Sequence, residues 1–141
     1  MAFDSFIKFD GIEGESMDAE HSGWIEISSY RHGIRQKASV TASSAGGASS
    51  GRGDFGDFLF TKQMDKASPK LAICCAAGTH FDKVVLDICR AGDGKLRYMR
   101  YELINCMISG YSAAGARDVP AETVTLDFAK ISIIYTQQKR D

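Results

Sequence analysis

Short runs of alternating apolar and polar residues, separated by turn residues, constrain the fold of this chain more than any other feature. They cover positions 3–10, 24–40, 55–62, 81–90, 95–111 and 122–137. Side chains of a strand point to alternate faces, which produces this period of two. Gly33, inside the second run, predicts a bend or a bulge. The pattern predicts a mainly β domain, built as a small antiparallel sandwich or barrel.

One helix interrupts the strands, and we predict it near residues 68–77. Ser68 is the expected N-cap, and Pro69 suits the first helical position because it has no N–H to leave unpaired. Leu71, Cys74 and Cys75 then share one face. Gly78 is a favourable C-terminal stop. The helix is short, and we expect it to plug or flank the barrel.

The last predicted strand changes its apolar phase halfway along. Val124, Leu126 and Phe128 have one parity, whereas Ile131, Ile133 and Tyr135 have the other. A bulge near Lys130 would shift the phase and keep one face buried. Alternatively, the strand is apolar on each face in turn, and a second subunit covers the surplus. The sequence leaves both interpretations open.

Composition limits the possible partners. The chain has 141 residues, no internal repeat and a formal net charge of −1, so we expect a single domain with no basic surplus for nucleic acid. No run approaches the roughly 20 apolar residues needed to cross a bilayer. The first ten residues alternate like a strand and lack the basic and apolar regions of a signal peptide. We therefore expect folding in the cytoplasm and no membrane insertion.

Residues 41–54 form the one low-complexity segment, rich in Ala, Ser and Gly. Such a segment has too few large side chains to offset the entropy lost on ordering. We predict a flexible loop that becomes ordered against a partner. Loops of this length in compact domains often have a function.

Motifs for catalysis, cofactors and metals are weak. Residues 51–56 match G-x-G-x-x-G, but they precede a strand instead of opening a helix, which argues against a dinucleotide site. The histidines lack the paired spacing typical of zinc ligands. The four cysteines fit best as buried small residues without disulfides. We predict no enzyme activity, no cofactor and no metal.

Two other classes of function stay open at this point. One is a secreted effector or hydrolase acting in its own right, with Cys89 or Cys106 as nucleophile and His80 as base. The other is a carbohydrate- or receptor-binding module that uses Trp24 and the tyrosines. Aromatic residues at strand spacing are more often part of a core.

Several sequence blocks, taken in order, carry a resemblance to a known family. They are 9–16 (Phe-Asp-Gly-Ile-Glu-Gly-Glu-Ser), 25–30 with Gly33 and Gln36, 60–62, 65–71, 80–84, 89–92, and 122–128 with Lys130 and Ile131. Each block alone is modest, but their order and spacing are specific. The chain resembles the haemolysin-coregulated protein (Hcp) family, the tube subunit of the type VI secretion system.

The resemblance implies a small β-barrel of two packed sheets with a flanking helix, and a homohexameric ring that stacks into a hollow tube. It implies a VgrG-type spike, a contractile sheath and effector proteins in the lumen as further partners. It also implies secretion without a signal peptide, outside the cell or into a target cell, after assembly in the cytoplasm. The loop at 41–54 would contact the next ring. The ring-stacking residues expected within it are Ser43, Ser44, Gly46, Gly47, Ser49, Ser50, Gly51 and Arg52.

Overall fold

The fold is described from a computed structural model that covers residues 3–36, 38–39, 49–50, 53–91 and 96–137. The elements, in chain order, are β1 (Phe3–Phe9), β2 (Ile25–Ile27), β3 (Ser29–Arg31), β4 (Ile34–Arg35), β5 (Ala38–Ser39), β6 (Ser49–Ser50), β7 (Asp54–Phe55), β8 (Phe58–Gln63), α1 (Ser68–Ala77), β9 (His80–Arg90), β10 (Arg97–Ala114) and β11 (Ala121–Tyr135).

Seven of the strands form one antiparallel sheet in the order β2-β1-β9-β10-β11-β8-β3. The two outermost strands, β2 and β3, are consecutive in the chain and are separated only by Ser28. The Ser28 N–H donates to the Thr61 carbonyl on β8 at 2.7 Å, so the two ends of the sheet meet. The sheet therefore curls into a nearly closed barrel, and the mainly β fold predicted from the alternating runs is confirmed.

Two short strand pairs lie outside the barrel. β4 pairs with β7, and β5 pairs with β6, so the chain leaves the barrel after β3 and returns to it before β8. We call the described residues of β4, β5, β6 and β7 the arm. The predicted strand at 24–40 is thus broken into short pieces, with Gly33 at one of the breaks.

The barrel interior holds the apolar core, to which every long strand contributes. On β9, Val84, Leu86 and Ile88 are all buried and belong to this core. The other fully or nearly fully buried apolar residues of the core are Ile7, Phe9, Ile12, Ile25, Phe58, Phe60, Ala67, Leu71, Phe81, Tyr101, Leu103, Cys106, Ile108, Val124 and Leu126.

The phase change predicted in the last strand is present. Phe128 and Ile131 both pack against the core although they have opposite parity. Opposite this point, Asn105 of β10 has a φ of 51°, in the left-handed region that asparagine tolerates better than most residues. Pairing continues on either side, with Ile104 opposite Lys130 and Cys106 opposite Phe128. The two strands therefore change phase together and keep the same register.

Helix α1 ends as predicted but begins differently. Gly78 is the left-handed C-cap, and its N–H reaches the carbonyls of Cys74 and Cys75. At the start, Ala67 is the N-cap without a side-chain cap, and Ser68 is already helical. The predicted N-cap role of Ser68 is wrong because its hydroxyl is a partner of the buried carboxylate of Glu122, at 2.7 Å.

Candidate assembly surface

Strand β11 has one half that is paired on both sides and one half that is not. Ala121–Leu126 lie between β8 and β10, because β8 begins at Phe58, opposite Leu126. From Asp127 to Tyr135 the strand pairs with β10 alone, and no other described strand lies along its second side. We call residues 127–135 the free edge. Alternate N–H and C=O groups along such an edge are directed away from the sheet, where another strand could bind them.

The free edge ends in exposed apolar side chains. Ile133 is 48% exposed, Ile134 is 39% exposed and Tyr135 is 64% exposed. Because these three residues follow one another, the end of the strand presents apolar surface on both of its faces. Natural edge strands usually carry charges, prolines or bulges that block pairing with other chains. Only Asp127 and Lys130 bring charge to this edge.

The arm begins next to the free edge. Its Phe55 is 51% exposed and contacts the ring of Phe128 edge-on, with 6.1 Å between the centroids. Ile34 stands opposite Phe55 in the β4–β7 pair and is 52% exposed. We call the free edge together with Ile34 and Phe55 the assembly surface. It is a continuous region of strand edge and apolar side chains.

The sequence predicted a loop at 41–54, and the structure describes part of that segment. Ser49 and Ser50 form β6, paired with Ala38–Ser39, and Asp54 belongs to β7, so these positions are strand instead of loop. The remaining predicted stacking residues, Ser43, Ser44, Gly46, Gly47, Gly51 and Arg52, lie outside the described residues. Their role in ring stacking stays a prediction.

A buried polar cluster links the paired half of β11 to β8, to β10 and to the start of α1. Glu122 is 1% exposed and Lys62 is also 1% exposed, and their side chains form an ion pair at 2.5 Å. The Lys62 ammonium also donates to Asp65 at 2.8 Å and to Ser68 at 3.2 Å. The hydroxyls of Ser68 and Tyr111 donate to Glu122. We call these five residues the Glu122 cluster.

The electrostatics of the Glu122 cluster favour the charged pair. Burial alone raises the pKa of Glu122, but hydrogen bonds from Lys62, Ser68 and Tyr111 outweigh it and bring the pKa below its ordinary value. The cluster joins β8, β10, β11 and the start of α1. The cluster was not predicted from the sequence, although the sequence holds a signal for it. Lys62 follows Phe58 and Phe60 in the buried phase of its strand, and Glu122 precedes Val124 and Leu126 in the same way.

The residues of the hydrolase alternative are not arranged for catalysis. Cys89 and Cys106 are fully buried, and burial raises the pKa of their thiols to about 11 and about 12. A raised pKa disfavours the thiolate, which is the nucleophilic form. His80 lies opposite Met107, one position from Cys106, but His80 is exposed whereas Cys106 belongs to the core. The two residues lie on neighbouring strands, β9 and β10, but the fold directs them to different environments.

The other histidines and cysteines that could be metal ligands are also dispersed in the described part of the chain. Cys74 and Cys75 lie half-buried on α1, and His32 stacks on Phe58. Within the described residues, no group of three histidine, cysteine or carboxylate side chains could hold a metal ion. In that same part of the chain, no helix has the length and apolar character that a membrane span requires.

Comparisons with known proteins agree with this architecture. Residues 6–135 match the family described as type VI secretion system effector, Hcp. The chain is 35% identical to protein hcp1 of Pseudomonas aeruginosa over 144 residues, a match that spans all of this chain and 88% of that protein. It is also similar to the solved structure of Hcp1 from Salmonella typhimurium, with 33% identity, a TM-score of 0.81, and coverage of 96% of this chain and 87% of that one.

A second solved structure, described as a type six secretion system protein, has 30% identity and a TM-score of 0.89. It covers 99% of this chain and 87% of its own. Both the family match and the full-length identity are extensive, and they agree with the block pattern read in the sequence. The chain belongs to the Hcp family of type VI secretion system proteins.

Proposed function

We propose that this protein is the tube subunit of a type VI secretion system, and that six copies close into a ring through the assembly surface. The free edge is the observation that supports this proposal most directly. It offers unpaired backbone groups and exposed apolar side chains in the same place, and a strand of a second copy would satisfy both. Family membership agrees with this role.

Ring closure requires two different contact patches on each subunit, because a cyclic ring uses heterologous contacts. The start of β1 is our candidate for the second patch. β2 pairs with β1 only from Ser5 onward, so the first residue of β1, Phe3, has no β2 residue opposite it. Phe3 is 49% exposed. A free edge of one copy laid along this segment of the next would extend the sheet from subunit to subunit.

The area required is available. A stable interface of standard size buries roughly 800 Å² on each partner, so two patches would bury about 1,600 Å² per subunit. The accessible surface of the single chain is 9268 Å². Ring formation would therefore cover about a sixth of it, and most of the surface would stay available for stacking and for other partners.

Further steps of the proposal follow from the resemblance. Stacked rings would form a hollow tube inside a contractile sheath, capped by a VgrG-type spike, and the lumen would carry effector proteins. The arm supports the stacking step because its two short strand pairs lie outside the seven-stranded sheet of the barrel. The protein would leave the cell with the spike.

The ring proposal is tested by native mass spectrometry and light scattering on wild type, Ile133→Lys and Val119→Lys. Val119 is a matched control, since it is an exposed β-branched residue in the turn between β10 and β11, outside the assembly surface. We expect hexamers for wild type and for Val119→Lys at a protein concentration of about 10 µM, which is above the dissociation constants typical of standard-sized interfaces. Ile133→Lys should give monomers. A monomeric wild type, or a hexameric Ile133→Lys, contradicts the proposed edge.

A further inference from the structure

A buried histidine connects the loop between β1 and β2 to the face of the sheet that is turned away from the core. Phe6 of β1, Asp87 of β9 and Arg100 of β10 stand side by side in register on that face. His21, from the loop, lies on this row. Its ring stacks on Phe6 with 4.6 Å between centroids and an interplanar angle of 8°. Trp24 covers the histidine edge-on at 4.7 Å.

Both ring nitrogens of His21 face carboxylate oxygens. Nδ1 lies 2.7 Å from Asp18 Oδ2, and Nε2 lies 2.8 Å from Asp87 Oδ2. The side chain of His21 is 4% exposed and that of Asp87 is 1% exposed, so water cannot substitute for either contact. An ionised carboxylate only accepts hydrogen bonds, and a neutral imidazole donates only one. The two contacts are therefore satisfied together only when both ring nitrogens carry a proton.

Asp87 has a second cationic partner besides the histidine, which also favours its charged form. Burial alone raises its pKa, but hydrogen bonds from Arg100 and His21 outweigh burial and bring the pKa below its ordinary value. Arg100 supplies two of these bonds, from Nε to Oδ1 at 2.6 Å and from Nη2 to Oδ2 at 2.8 Å. The acceptor thus stays anionic while the histidine is the group that can gain or lose charge.

We propose that His21 is a proton-controlled clasp for the loop at residues 12–24. With both ring nitrogens protonated, the loop is held on the sheet. When one ring proton is lost to solvent, a nitrogen lone pair faces a buried carboxylate, and the loop is released. The clasp is therefore closed at low pH, where both ring nitrogens carry a proton, and opens as the pH rises.

The surrounding charges act in the same direction. Asp18 of the loop and Asp87 of β9 contact the ring, and Arg100 of β10 binds Asp87. Beyond them, Asp4 of β1 and Glu20 of the loop act on the neighbouring Cys89, and Lys8 of β1 lies over the Trp24 ring. Two carboxylates contact the ring and one cation, Arg100, is bound to one of them, so loss of the imidazolium leaves an excess of negative charge among these groups. Like charges at this distance repel each other in a poorly solvated site.

The loop gives two direct readouts of the clasp. Its backbone forms hydrogen bonds from Gly14 to Gly23, from Ser16 to Trp24 and from Trp24 to His21, with N–H donors 2.7 Å, 3.0 Å and 3.1 Å from the carbonyl oxygens. These amides should exchange with solvent when the loop opens. Trp24 is the single tryptophan of the chain, so its fluorescence reports the same event.

The test is amide hydrogen exchange of these loop residues between about pH 5 and pH 8, the range in which histidine changes charge. Rates are corrected for intrinsic exchange and compared with those of the β9–β10 ladder. In wild type we expect loop protection, relative to the ladder, to fall about tenfold or more as the pH rises, the size expected for one charge-assisted hydrogen bond. In His21→Gln, protection should be low and independent of pH. His32→Gln is the matched control, because His32 is a half-buried histidine that lies outside the loop, follows β3 and stacks on Phe58, and it should behave like wild type.

Imidazole nitrogen resonances give a measurement that needs no variant. In wild type at the acidic end of the range, both nitrogens of His21 should be protonated, and loss of one should coincide with the loop exchange and with a change in Trp24 fluorescence. If His21→Gln does not fold, Asp18→Asn replaces it, and its loop protection should vary less with pH than that of wild type. Loop protection in wild type that does not change with pH, or a change that persists in His21→Gln, overturns the proposal.

Discussion

Replacing Lys62 with methionine removes the only cation of the Glu122 cluster while keeping a side chain of similar length. Glu122 would then stay buried with the hydroxyls of Ser68 and Tyr111 as donors but with no compensating charge. Removal of one partner of a buried ion pair typically destabilises a protein by about 3–5 kcal/mol, because the other charge is left in a poorly solvated site. Both side chains of this pair are 0% exposed, so we expect Lys62→Met to lose an amount in that range near neutral pH.

The effect should depend on pH in a defined direction. The pKa of Glu122 in the folded protein lies below its ordinary value of 4.5, so its ionised form stabilises the fold above that value. This contribution is lost as the pH falls through the lowered pKa. In Lys62→Met the ion pair is absent at every pH, so ionised Glu122 no longer contributes this stability. The difference in stability between the two proteins should therefore shrink on acidification below about pH 4.5.

The assay is urea unfolding followed by Trp24 fluorescence, with all proteins at the same concentration because association adds to apparent stability. Lys83→Met is the matched control. Its side chain is 52% exposed and its ammonium lies 3.4 Å from Glu102, so its loss should change stability by at most about 1 kcal/mol. The double variant Lys62→Met/Glu122→Gln should lose less free energy of unfolding than the two single variants lose in sum. The account of the cluster is refuted if Lys62→Met loses no more than Lys83→Met, or if its deficit grows at acidic pH.

Three further predictions concern the loop, the thiols and the arm. Gly14→Ala should destabilise the protein by about 1–3 kcal/mol, because a Cβ at Gly14 would lie 2.4 Å from the Trp24 carbonyl oxygen. Gly33→Ala is the control, since a Cβ at Gly33 would have no atom within 4 Å. Equal urea midpoints for the two variants would contradict the expected clash. Cys89 and Cys106 should react with a maleimide far more slowly than Cys74 and Cys75 in the native protein, since burial raises the pKa of both buried thiols. Labelling is measured by peptide mass spectrometry, and fast labelling at Cys106 would restore the hydrolase alternative. Deletion of residues 43–50 should leave the urea midpoint nearly unchanged and reduce tube length in negative-stain images, whereas tubes of normal length would argue against a stacking role.

Local patterns in the sequence identified most of the secondary structure. The ends of strands β1, β9, β10 and β11 lie within three residues of the ends of the alternating runs, because their period of two follows from the geometry of a single strand. Gly78 marks the end of α1 because only a residue tolerant of the left-handed region suits that position. The start of the helix was mispredicted for the opposite reason. Ser68 is a good local cap, but a distant residue, Glu122, binds its hydroxyl.

What the sequence determined by itself is therefore the set of elements, the core face of the strands and, through the ordered blocks, the family. What only the tertiary structure decided is which polar residues meet and which strand edge is left open. Lys62 and Glu122 are 60 positions apart, and His21 and Asp87 are 66 apart, so no local periodicity relates them. The free edge depends on where β8 begins relative to β11, which is a matter of register between strands. These features arise from contacts between distant segments, and they become visible only when the barrel closes.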